Sequence, residues 1–78
     1  MPEARAVDGA GNVYVADSEA ATIFKITQGG VQTTVGTGFS YPNGIAVDGQ
    51  GNLYVTDPFI DEVVKIAPGG KQTTVGSN

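Results

Sequence analysis

The chain repeats itself almost word for word after 40 residues, and this limits its fold more than anything else in it. Ala6-Val7-Asp8-Gly9 returns as Ala46-Val47-Asp48-Gly49, and Tyr14-Val15 returns as Tyr54-Val55. Lys25-Ile26 returns as Lys65-Ile66, and Gln32-Thr33-Thr34-Val35-Gly36 as Gln72-Thr73-Thr74-Val75-Gly76. Between residues 6–38 and 46–78, 18 of 33 positions are identical without a gap, which excludes coincidence and requires one unit built twice. Even Pro2 falls in register with Pro42.

Each repeat reads as four short strands. The first covers about Arg5–Asp8 or Ile45–Asp48, and the second Asn12–Ala16 or Asn52–Thr56. The third covers Thr22–Thr27 or Glu62–Ala67, and the fourth Gln32–Val35 or Gln72–Val75. The turn Asp8-Gly9-Ala10-Gly11 and its copy Asp48-Gly49-Gln50-Gly51 are rich in residues that tolerate positive φ, as tight hairpins require. Near-continuous apolar runs in strands two and three imply sheets covered on both faces. The connections are too short to hold covering helices, so sheets must cover sheets. Four short strands per period of 40 describe a β-propeller blade, and the fold class is all-β with two four-stranded antiparallel blades. A β-solenoid fits less well, because its coils are shorter.

Composition narrows the chemistry. There is no cysteine and no histidine, which removes disulfides, thiolate sites and the commonest general base. A net charge of −4 speaks against a phosphate-binding surface, so nucleic acid is not an expected partner. No window approaches the ~20 apolar residues that span a bilayer, and no membrane partner is expected. The first residues lack the apolar core of a signal peptide, and compartment stays open. At 78 residues a chain buries a modest fraction of its surface, and association is the staple left to it.

Pro42-Asn43-Gly44-Ile45-Ala46-Val47-Asp48 followed by Gly51-Asn52-Leu53-Tyr54-Val55-Thr56-Asp57 resembles the NHL repeat. That family's pattern is Pro-x-Gly-Ile-Ala-Val-Asp, then Gly-Asn-Val-Tyr-Val-Ala-Asp, and the resemblance runs over essentially the whole chain. It implies a propeller, most often of six blades, and much less about function, because such propellers act as sensors, protein- or RNA-binding platforms and occasionally enzymes. Two departures stand out. Ser18–Thr22 and Pro58–Glu62 replace the family's usual Asn-Asn-Arg stretch, and Glu3-Ala4-Arg5 replaces Asn43-Gly44-Ile45 in the first repeat. The basic residues that some members use for RNA have no counterpart here.

Blade 1 is expected over residues 1–38 and blade 2 over 39–78, with a linking loop at 36–44. Propellers hold about four to eight blades, so two are expected to leave two sheet faces bare. Each large apolar side chain buried there contributes about 1.5–3 kcal/mol, and several together rival the ~5–15 kcal/mol stability of a domain. Head-to-tail packing onto further copies closes a ring. A homotrimer with six blades is the favoured expectation and a homotetramer with eight the alternative. The chain then looks like a propeller cut at a blade boundary, as a natural fragment or an engineered self-assembling module.

The favoured function is a structural or scaffold role without catalysis. Candidate sites are few. First-strand starts line a propeller's central channel, where Glu3 and Asn43 would alternate around the mouth and offer oxygen ligands to Ca²⁺ or Mg²⁺. The Pro-Asn-Gly run at 42–44 also resembles lactonase-type propellers, which bind a divalent ion with Glu and Asn; the alternative is a solvated mouth, and no other cofactor is expected. Phe39, Tyr41, Phe59 and Ile60 fall in loops on one disc face and form a candidate binding patch. Alternatively Phe39 and Tyr41 pack between blades while Phe59 and Ile60 fold over the rim. Asp8, Asp48, Asp17 and Asp57 read as turn caps. Lys25 and Lys65 are expected at solvent or beside acids.

Overall fold

In the computed structural model, which describes residues 2–77, two four-stranded antiparallel sheets follow one another in the chain. The first holds β1 (Pro2–Val7), β2 (Val13–Asp17), β3 (Thr22–Ile26) and β4 (Gln32–Gly36), in that spatial order. The second repeats it with β5 (Gly44–Val47), β6 (Leu53–Asp57), β7 (Glu62–Ile66) and β8 (Gln72–Ser77). The connection between the sheets is 37–43. Two boundaries differ from the sequence reading by more than one residue. β1 begins at Pro2 rather than Arg5, because a register shift between Pro2 and Ala4 lets the chain pair onward to Asp17. β8 runs past Val75 to Ser77, paired with Glu62 across a bulge at Val63/Val64.

Register assigns every side chain to a face. In the first sheet Tyr14 stands opposite Lys25, and Ala16 opposite Ile23; Val13 stands opposite Ile26, and Val15 opposite Phe24. Tyr14, Ala16 and Ile23 are buried, whereas Val13, Val15, Phe24 and Ile26 are half-exposed. The second sheet buries the other set. Leu53 and Ile66 pair, as do Val55 and Val64, and all four are buried. One core therefore joins Tyr14, Ala16 and Ile23 of the first sheet to Leu53, Val55, Val64 and Ile66 of the second, with Phe39 from the linker. The sheets stack head to tail. Opposite faces of the same repeat meet, and the counterparts of the buried residues remain on the two outer surfaces.

The tight turns explain the motif Asp-Gly-x-Gly-Asn-x-Tyr. Gly11 and Gly51 both sit at φ 87°, in the left-handed region that glycine enters without steric cost. The Asp8 carboxylate accepts the N–H groups of Ala10 and Asn12, the Asn12 Nδ2–H and the Tyr14 hydroxyl, at 2.9–3.0 Å. Asp48 repeats the pattern with Gln50, Asn52 and Tyr54. Turn capping by these aspartates agrees with the sequence reading.

Candidate functional site

Three regions hold the residues singled out in the sequence: the linker with its aromatic neighbours, the start of β5, and the two outer sheet faces. The linker is fixed from the blade that follows it. Asp57, buried at the end of β6, accepts the backbone N–H of Ser40 at 2.7 Å and of Tyr41 at 3.0 Å, and also the N–H of Phe59 at 3.1 Å. One carboxylate thus ties the linker to the β6–β7 turn. This places the Tyr41 and Phe59 rings in a stack, with centroids 5.2 Å apart and planes at 25°. Phe59 is 73% exposed.

The proposed four-residue patch is narrower than expected. Phe39 is buried in the core between the sheets, as the inter-blade alternative has it, and leaves little area to a partner. Tyr41 and Ile60 are half-buried and Phe59 is open, so the surface candidate is these three. Sequence alone does not separate Phe39 from Tyr41, since both are aromatics in a glycine-flanked loop.

At the start of β5, Asn43 is exposed, and its Oδ1 accepts the Thr56 hydroxyl at 3.1 Å. The Glu3 side chain lies outside the described residues. Among those described, no three His, Cys, Asp or Glu side chains converge as a metal would need. Asn43 by itself offers one amide oxygen per chain, and the expected site needs Glu3 and a ring of copies to gather more. Lys25 is half-buried and lines a cleft of about 630 Å³ between the blades, with Asp8, Tyr14, Gln50 and Gln72.

The electrostatics of that cleft are set by the turns. Asp8 is held down to about 2, first by the Asn12 side-chain N–H and further by Tyr14 and backbone donors. Asp48 is held down to about 2 in the same way by Asn52. Burial, then the bond to Asp8, raises Tyr14, and Tyr54 is raised likewise beside Asp48. Fully bonded carboxylates of this kind are occupied structural acceptors, not free bases.

The outer sheet faces carry apolar side chains as well. On blade 1 an open groove of about 540 Å³ is lined by Arg5, Val13, Val15, Phe24, Ile26 and Gln32. On blade 2 the free face carries Tyr54, Val63 and Lys65, half-buried, with Thr56 exposed. Among the described residues no helix is long and apolar enough to cross a membrane.

The model of a β-propeller repeat, SBBP, matches residues 28–56, from the β3–β4 turn through β6. The fold is that of β-propeller blades. Two solved structures agree. A streptogramin B lyase superposes with a TM-score of 0.85 at 20% identity over 94% of this chain and 25% of its own. The virginiamycin B lyase from Staphylococcus aureus gives 0.79 at 18% identity over 94% of this chain and 26% of its own. The chain thus spans about a quarter of the length of these lyases. No curated protein matches it in sequence.

Proposed function

We propose that the chain is a self-assembling propeller scaffold without catalytic activity, in which copies stack blade on blade until the ring closes. The observation that carries this is the pairing of faces. Blade 1 uses its Tyr14/Ala16/Ile23 face and blade 2 its Leu53/Val55/Val64/Ile66 face to build the internal joint. The faces left open are the register counterparts of those two, 40 residues apart. A second copy is the occupant whose chemistry already fits, and heterologous contacts of this kind close into rings. Three copies with six blades are favoured, as the NHL-like motif implies, and four copies with eight are the alternative. Light scattering coupled to size exclusion tests it: three times the 7.9 kDa chain mass is expected. Four times that mass would change the blade count, and a single-chain mass at micromolar concentration would overturn the reading.

A second reading, a binding platform on the disc face, draws on the exposed stack of Phe59 on Tyr41. Phe59→Asp should then abolish capture of a partner while leaving the ring intact; an unaltered partner complex would remove it. A third reading, a lactonase-like divalent-metal propeller, has Asn43 and the NHL-like run behind it. The names of the structural neighbours add lyase chemistry, for which this chain has no histidine as general base. Calorimetry with Ca²⁺ decides the metal version, and no heat of binding would end it.

A further inference from the structure

Resting on the assembly just proposed, the internal joint also specifies where the second copy seats. Gly36 and Gly76 lie near the end of the last strand of each blade, opposite Ile23 and Val63. A Cβ added at Gly36 would lie 2.6 Å from Cδ1 of Ile66, so Ile66 of blade 2 rests in a seat that only glycine leaves open. A Cβ added at Gly76 would meet only its own neighbour Val63, at 3.7 Å. The register counterpart of Ile66 is Ile26, half-exposed in the groove on the outer face of blade 1. A polar clasp accompanies the internal seat. The Gln72 amide donates from Nε2 to the Thr37 carbonyl and accepts the Thr37 N–H at Oε1, each at 3.1 Å. Its counterpart Gln32 is exposed at the edge of the same outer groove.

We infer that Ile26 of one copy seats over Gly76 of a second copy, and that Gln32 clasps the second copy's main chain at residue 77, the register counterpart of Thr37. Side-chain volumes agree with this match. Phe24 is larger than its counterpart Val64, while on the receiving face Val63 is smaller than Ile23. Thr56 is larger than Ala16, while Val13 is smaller than Leu53. Among these pairs gains are offset by losses, the condition under which a core accepts exchange, while Arg5 is larger than its counterpart Ile45 and stands at the groove wall.

Gly76→Val is the decisive variant, because the Cβ it adds meets only Val63 within the single chain, at an ordinary 3.7 Å. Expected is a drop from three chain masses to one in light scattering, with the far-ultraviolet circular dichroism of the β-sheets unchanged. Ile26→Asp, from the opposite side of the joint, should give the same drop and decides the matter if Gly76→Val fails to fold. Gln32→Ala should retain the ring and raise the concentration at which half of it dissociates by about tenfold, as loss of two neutral hydrogen bonds implies. A wild-type mass for folded Gly76→Val or for Ile26→Asp overturns the seat and leaves assembly standing. An unshifted Gln32→Ala overturns the clasp. A single-chain wild-type protein overturns assembly and seat together.

Discussion

At the residue scale, the two Asp-Gly-x-Gly-Asn-x-Tyr turns set a pH window. Asp8 and Asp48 are depressed from 3.8 to about 2, so their contribution to stability is fully present above the ordinary carboxylate range. It is lost as pH falls from about 4 toward about 2. Tyr14 and Tyr54 are raised above 10.0, so their contribution is present below that value and is lost as pH rises through the raised one. Thermal unfolding followed across pH should therefore show a plateau bounded by these limbs. Asp8→Asn combined with Asp48→Asn should shrink the acid limb, and an unchanged acid limb would refute the assignment. Ala21 offers a second test, since its φ of 53° is unfavourable for a residue with a Cβ and carries a cost of about 1–2 kcal/mol. Ala21→Gly should raise the unfolding midpoint, in net terms by up to about 1 kcal/mol after the glycine's own entropy is counted.

At the scale of elements, strands were legible and faces were not. The repeat and its glycine turns located all eight strands to within a few residues, because hairpin chemistry recurs at a fixed offset. Which face of each blade is buried could not be read, since Val13-Tyr14-Val15 and Leu53-Tyr54-Val55 are apolar at successive positions and show no alternation. The inter-blade alternative has Phe39 buried, as it is, whereas the stack of Tyr41 on Phe59 had no sequence signal because it depends on the Asp57 tie. Of the four aspartates read as turn caps, Asp57 also holds the linker. Asp57→Ala would leave the N–H groups of Ser40, Tyr41 and Phe59 without their acceptor, at a cost of about 1–3 kcal/mol for each that stays buried. Chemical denaturation should show a loss of several kcal/mol with the slope largely kept; a loss under about 0.5 kcal/mol, as for an ordinary surface change, would contradict the tie.

At the scale of the whole molecule, two blades make a body of 35 × 26 × 16 Å with a shared core on one side of each sheet. The other sides remain open, and stability should then depend on how many neighbours each copy has. If copies stack as proposed, the thermal midpoint rises with protein concentration, because association removes folded chains from the unfolding equilibrium. A midpoint constant over a hundredfold dilution, spanning the dissociation range, would show that folding is complete in the single chain.

The carboxylate of Asp57 grips only main-chain N–H groups of the linker. The course of that linker is thus written in the blade, and the exposed side chain at position 40 is not called on to hold it. Sequence can drift there without moving the backbone. Such a loop is a rigid mount, and a propeller of this kind can vary that point of its disc face while its joints stay the same.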